Sequence, residues 1–293
     1  MMKRKMVISL ITSLAMALSL LLIGCGGSGT ESSGSADSGT AGSGTASQSG
    51  ASAEMTTVTP GVLTVGSDCD YPPFIEMDGE QPLGFEYELL SALADEMDLE
   101  LVYLPPQNFD TILAAVAAGT KMDVGCSSFT INDERKEMAD FTTPYFDSNQ
   151  AVVALTGSAY TNAMSFNGKT LGAQSGTTGA DWVRENLTDE GTVLKEYNQA
   201  SEMMAALVAG DIEGAFYDEP AAAEWVTTLY TNTRIVESIP TGEQYGIVVS
   251  KDNPGLLKAL NAAMTTIKEN GTFDKIFAKY FPELQAPTLK DAS

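Results

Sequence analysis

The 293-residue sequence contains no histidine. Imidazole is the usual partner of serine and cysteine nucleophiles and the commonest side-chain ligand of zinc, so histidine-assisted hydrolysis and histidine-ligated zinc are both excluded. Cysteine is nearly as scarce, at three residues, of which only Cys69 and Cys126 lie in the part able to build a core. Two thiols are too few for a thiolate metal cage, and no metal or other cofactor is expected. Each follows an apolar segment that ends at a turn, which leaves open a disulfide between neighbouring strand ends or a pair of buried free thiols. Basic residues are few as well: 16 Lys+Arg stand against 39 Asp+Glu, a formal charge of −23. Without Lys3, Arg4 and Lys5 the balance is 13 against 39, or −26. A surface this acidic will not hold nucleic acid through its phosphates. It disfavours contact with anionic lipid and favours small solutes that are zwitterionic or cationic.

Long apolar runs are also rare. One, from Met6 to Ile23, follows the basic triplet and ends in Leu22-Ile23-Gly24-Cys25. A basic start, an apolar middle and small residues at the end describe a secretory signal, and the run is short for a membrane span. The cysteine in that place resembles the lipobox of bacterial lipoproteins. The resemblance implies a signal peptide over 1–24, a lipidated Cys25, and an extracytoplasmic protein anchored to the cell membrane. From Gly26 to Ala53 the chain is nearly all Gly, Ser, Thr and Ala. This composition behaves as a flexible coil, so 25–55 reads as a tether.

The remainder, 56–293, shows strand and helix patterns in alternation. Val62-Leu63-Thr64-Val65 is a buried strand ended by Gly66-Ser67-Asp68. Phe85, Leu89, Leu90, Leu93 and Met97 share one helical face, followed by a strand over 99–104, a helix over 109–118 closed by Gly119, and a strand over 122–125. This β-α-β-α-β order predicts an α/β fold with a parallel sheet covered on both faces. Ligands of such sheets sit beyond the carboxyl ends of the strands, where Asp68, Phe109 and Ser127-Ser128 lie. The extended run 150–155 leads into a second series, with strands over 170–173, 193–196 and 214–216 and helices over 179–186, 200–209 and 220–229. A second extended run, 245–249, precedes helices over 255–270 and 273–280. Two extended crossings predict two lobes joined by two hinge strands: lobe 1 from 56–152 and 246–293, lobe 2 from 153–245. Such a connection has one main freedom, opening and closing.

Five segments carry a family resemblance. They are Gly66-Ser67-Asp68-Cys69-Asp70-Tyr71-Pro72-Pro73-Phe74, Gly84-Phe85-Glu86-Tyr87-Glu88, Ser127-Ser128-Phe129-Thr130-Ile131-Asn132-Asp133-Glu134-Arg135, Gln174-Ser175-Gly176-Thr177-Thr178-Gly179, and Asp211-Ile212-Glu213-Gly214-Ala215-Phe216-Tyr217-Asp218-Glu219. In this order, over 61–282, the chain resembles the extracellular (family 3) solute-binding proteins of polar amino acid ABC transporters. The resemblance implies a two-lobed periplasmic-binding-protein-like (type II) fold with two parallel-type sheets. It implies no catalysis, and a monomer that carries an amino acid to permease subunits. Arg135 would take the ligand α-carboxylate with Ser128 and Thr130. Its planar fork suits a carboxylate, although taken alone it reads as a surface residue of a short helix, a preference that the flanking Ser-Ser-Phe-Thr run reverses.

Thr177 and Thr178, at a helix start, would assist from the other lobe, and as plain residues they read as an N-cap. Asp218 would take the α-ammonium, with helix capping as the alternative. Tyr71 and Phe109 match aromatic walls, or else core. Asp68, and possibly Asp70, would face the far end of the ligand. Gln174 lies where members of the family differ. An acid beside aromatic walls favours a basic ligand such as arginine, lysine or ornithine. Glutamine, glutamate and cystine are the alternatives, and an enzyme of the same fold, a dehydratase of prephenate-like substrates, is the alternative of another class.

Overall fold

The computed structural model describes residues 54–187, 189–287 and 289. The expected signal peptide, Cys25 and nearly all of the tether lie outside the described residues. The elements run β1 (Val62–Gly66), β2 (Asp70–Tyr71), β3 (Ile75–Asp78), β4 (Gln81–Leu83), α1 (Phe85–Glu96), β5 (Glu100–Tyr103), α2 (Phe109–Ala117), β6 (Val124–Gly125), α3 (Asp133–Met138), β7 (Asp140–Phe141) and β8 (Phe146–Leu155). After a single 3₁₀ turn come β9 (Thr170–Gln174), α4 (Thr178–Asn186), β10 (Val193–Tyr197), α5 (Ala200–Ala209), β11 (Gly214–Asp218), α6 (Glu219–Thr228), β12 (Thr233–Tyr245), β13 (Val248–Val249), α7 (Pro254–Glu269) and α8 (Thr272–Tyr280). Among the described residues no helix is long and apolar enough to cross a membrane.

The strands form two five-stranded sheets, ordered β5-β1-β6-β13-β7 and β10-β9-β11-β8-β12, and a small meander β2-β3-β4. In each large sheet the β-α-β units pair in parallel as expected: β1 with β5 and β6, and β9 with β10 and β11. The other strands run against them. β13 is antiparallel to β6 and β7, and β8 is antiparallel to β11 and β12. Both sheets are therefore mixed, because the chain that leaves one half for the other returns along a neighbouring strand. The expected parallel-type sheets describe only the β-α-β core of each.

The crossing also differs from expectation. Gln150, Ala151 and Val152, placed at the end of lobe 1 by their sequence, pair with β11 and β12 in the second sheet. The opposite crossing shows register shifts in β12 between Ile239 and Glu243, and Thr130 bridges to Tyr245 beside it.

The local reasons for these elements are simple. β1 is largely apolar and is buried from Leu63 to Gly66, as a strand covered on both faces must be. α1 buries Phe85, Leu89, Leu90 and Leu93 on one face. Gly84, at φ +123, precedes it, and a Cβ there would lie 2.4 Å from the carbonyl oxygen of Phe74. Phe74 is the centre of an aromatic cluster with Phe85, Phe146, Tyr245 and Phe281. That cluster locks the meander, β8, β12 and the C-terminal helix onto one core. Cys69 and Cys126 are both buried and free, which decides between the two states left open by sequence.

Candidate functional site

Where the two sheets face each other, the chain encloses a small cavity of about 10 Å³. That is room for roughly one water, so the two halves stand closed on each other at this place. Nine of the ten residues singled out by sequence line it: Tyr71, Phe109, Ser128, Thr130, Arg135, Gln174, Thr177, Thr178 and Asp218. Ser127 completes the wall. The tenth, Asp68, sits just behind Ser127, whose hydroxyl donates to its Oδ1 at 2.6 Å. A larger open cleft of about 480 Å³ runs along Pro73, Glu219, Ala223 and Phe281. It carries no cation and no facing pair of opposite charges, so its size does not make it the site.

Arg135 comes from α3, whose N-cap Asn132 accepts from the Arg135 amide at 2.8 Å and so fixes the start of the helix. The side chain is 8 % exposed, which removes the surface alternative. Its Nη1 donates to the Thr130 carbonyl at 2.8 Å. Its Nη2 crosses to the Gly176 carbonyl at 2.9 Å, a residue between β9 and α4 of the other half. The guanidinium carbon lies 5.5 Å from the ring centres of both Phe109 and Phe129, which stack on each other at 4.5 Å. Phe109 is thus wall and core at once. Among the described ion pairs none includes Arg135. Burial lowers its pKa, and the carboxylates of Asp218 and Glu243 oppose that shift.

Asp218 ends β11 on the opposite wall. It stands at the N-cap of α6, yet its side chain makes no cap bond. Instead Oδ2 accepts from the Tyr245 hydroxyl at 2.5 Å, and Oδ1 accepts from the Gln150 amide. Burial first, then the neighbouring Glu243 carboxylate, push its pKa up from 3.8 to about 6. Thr177 is the N-cap of α4 and accepts from the Ala180 amide at 3.3 Å. The Thr178 hydroxyl donates to Glu243 Oε2 at 2.9 Å.

Behind Ser127, Asp68 is 1 % exposed, and burial raises its pKa. Gln174, from the second sheet, donates to Asp68 Oδ2 at 2.9 Å. Tyr71 packs on Tyr217 with ring centres 4.8 Å apart. The Tyr217 hydroxyl is buried and has no partner.

Two acids escaped the reading of the sequence as site residues. Glu243, from β12, accepts from Thr130 at 2.6 Å and from Thr178 at 2.9 Å, so one carboxylate ties both walls together. Glu86, in the first turn of α1, is fully buried. Its Oε1 accepts from the Ser128 amide at 2.7 Å, from the Ser128 hydroxyl at 2.9 Å and from the Tyr145 hydroxyl. It thereby holds Ser128 at φ +53, in the sparsely populated left-handed region. Burial raises the Glu86 pKa to about 7. The Gly-Phe-Glu stretch had marked Glu86 as part of the resemblance, but without a role.

Among the described residues no group of His, Cys, Asp or Glu could hold a metal ion. The arrangement is a small polar chamber with a guanidinium on one wall and a carboxylate on the other, closed by direct bonds between the halves. Its chemistry suits a molecule that carries a carboxylate at one pole and an ammonium at the other.

This class of protein has a family. Residues 63–283 match the bacterial extracellular solute-binding proteins, family 3, and the chain belongs to that family. It is 30% identical over 226 residues to ABC transporter arginine-binding protein 1 of Escherichia coli (strain K12), covering 75% of this chain and 91% of that protein. It is also 30% identical over 224 residues to the L-cystine-binding protein TcyJ of the same strain, covering 75% and 83%. Among solved structures, an ancestral arginine-binding protein bound to arginine superposes with a TM-score of 0.72 at 33% identity, covering 75% of this chain and 98% of that one. An ancestral arginine-binding protein bound to glutamine gives 0.72 at 32%, covering 77% and 100%. The ancestral amino acid-binding protein AncCDT-1, a precursor of cyclohexadienyl dehydratase, gives 0.68 at 29%, covering 75% and 96%. The fold is that of the type II periplasmic binding proteins.

Proposed function

We propose that this chain is the receptor of an ABC importer. As a monomer it captures a polar amino acid, of the basic class, between two lobes that hinge at β8 and β12, and delivers it to permease subunits. The observation that carries this reading is the placement of Arg135 and Asp218. They are buried charges of opposite sign from different halves, lining one cavity without pairing to each other. A free amino acid supplies the carboxylate for the first and the ammonium for the second, and enclosing either pole unpaired would be costly. Asp68 at the far end favours a second positive charge on the ligand side chain.

Calorimetric titration with arginine, lysine, ornithine, glutamine, glutamate and cystine tests the ligand class. Tight binding of a cationic amino acid is expected, and tight binding of glutamine, glutamate or cystine alone overturns the basic preference. The likeness to a dehydratase precursor favours one second reading, turnover of a prephenate-like substrate, which a product assay separates from simple binding. We further propose that Cys25 is lipidated and holds the protein at the outer face of the cell membrane. Metabolic labelling with a palmitate analogue should mark the wild type and not Cys25→Ser.

A further inference from the structure

Asp70 follows Asp68 by two residues, in β2, yet its carboxylate does not point along the cavity. It crosses to the other half of the molecule. Helix α5 begins at Ala200, after Gln199, whose side chain makes no cap bond. Glutamine is a poor N-cap, because the favoured Ser, Thr, Asp and Asn put a short side-chain oxygen within reach of the free amides of the first turn. The missing acceptor comes from Asp70: the Ser201 amide, in the first turn of α5, donates to Asp70 Oδ2 at 2.8 Å. The Ser201 side chain interacts with the same carboxylate.

The chemistry at this junction is one-sided. The positive end of the helix dipole attracts the carboxylate, while Asp68 and Glu202 repel it and burial disfavours its charge. Among the described ion pairs no Lys or Arg joins Asp70. What holds Asp70 is the end of a helix in the opposite half.

We propose that Asp70 is a closure latch. It caps α5 only when the lobes are shut, and so strengthens the capture of every ligand by one common factor without touching any of them. The proposal rests on the reading of the protein as a hinge-closing amino acid receptor. A contact made only in the closed form shifts the open–closed equilibrium, and the apparent affinity follows the closed population. Asp70 is therefore a positioning residue, in contrast to Asp68, whose replacement should change which ligand is preferred.

The test is calorimetric titration of the full chain with arginine, lysine, ornithine and glutamine, with melting temperatures as the control for folding. The variants are Asp70→Asn, Asp70→Ala and Gln199→Ser. Asp70→Ala should weaken every ligand that binds by the same factor, about 2- to 30-fold, the range set by the loss of one helix cap. Asp70→Asn, which keeps an oxygen acceptor, should fall between Asp70→Ala and the wild type. Gln199→Ser gives α5 a cap of its own in both open and closed forms. It should raise the melting temperature and weaken binding together, a pairing that a merely structural role for Asp70 would not produce.

The latch is overturned if Asp70→Ala binds all ligands within twofold of the wild type. It is overturned equally if the ranking of ligands changes, or if Gln199→Ser binds more tightly. A wild-type chain that binds none of the four overturns the receptor reading, and the latch with it.

Discussion

Replacing Arg135 by alanine removes the only buried guanidinium in the cavity wall, and the structure sets the size of the loss. Two of its five N–H donors are engaged by the carbonyls of Thr130 and Gly176, at 2.8 and 2.9 Å. The others are free to take a carboxylate through a pair of parallel bonds. Each hydrogen bond to a charged group contributes about 1.5–3 kcal/mol, so the loss of two costs about 3–6 kcal/mol. At about 1.4 kcal/mol per decade, affinity should fall by roughly 10²- to 10⁴-fold. Arg135→Lys keeps the charge but not the fork, and loses one such bond together with a contact to Phe109 and Phe129 that contributes about 0.5–1 kcal/mol. It should therefore bind roughly 30- to 1000-fold more weakly than the wild type, between the two extremes. Calorimetry on folded protein, checked by a cooperative melt, reads both values. An Arg135→Ala chain that melts normally and binds within threefold of the wild type would show that the guanidinium does not hold the ligand.

Acidification should weaken ligand capture and stabilise the empty chain. Asp218, raised to about 6, must be charged to hold an ammonium, so affinity should start to fall as pH drops through that value. Folded Asp218 and Glu86, the latter raised to about 7, bind protons at pH values where the unfolded chain does not, so the ligand-free melting temperature should rise from pH 8 to pH 5; a steady fall would refute the assigned shifts. Glu243→Gln removes a carboxylate that raises the Asp218 pKa, and the acid limb of the binding curve should move to lower pH. Gly176→Ala would put a Cβ 2.9 Å from that of Asp110 in the other half, at φ +75. Binding should weaken by more than tenfold while the ligand-free chain still melts cooperatively, and undiminished affinity would mean that the halves do not approach this closely in the complex. Cys69, buried and raised to about 11, and Cys126, whose thiol burial also pushes well up, should resist alkylation at pH 8 in the native protein and react fully in denaturant.

Much of the architecture is legible because strands covered on both faces are written as short, continuous apolar runs between helical periods. Ala200–Ala209 has the bounds its pattern predicts, and the left-handed Gly210 ends it. The meander β2–β4 is less visible, because Asp70-Tyr71 and Gln81–Leu83 are too short for a period and Pro72-Pro73 reads as a break. β12 hides for another reason: most of its 13 residues are partly or wholly exposed, and Thr241-Gly242-Glu243 looks like a turn. That hides Glu243 too, since its contacts with Thr130 and Thr178 arise only when β12 meets both walls. Glu86 is concealed by its place, for an acid in the first turn of a helix normally faces solvent and the dipole. Its burial is a tertiary event, produced by Ser128 and Tyr145 closing over it. Asp218 illustrates the converse. Sequence allowed both a cap and a ligand group, and the absence of a cap bond removes the first for its side chain.

The far end of the cavity bears on the choice among amino acids. Asp68 is fully buried, and it already accepts from Ser127 on one oxygen and from Gln174 on the other. A ligand that reaches it must replace or share the Gln174 amide. A neutral amide side chain exchanges one neutral donor for another and gains little. A guanidinium or ammonium replaces a neutral donor by a charged one, and such bonds are roughly twice as strong. It also offsets the charge of a carboxylate that burial disfavours. The same buried acid that is costly in the empty chamber therefore rewards a cationic side chain more than a neutral one of equal length. On the proposed function, charge at this end, rather than the shape of the aromatic walls, sets the preference for the basic class.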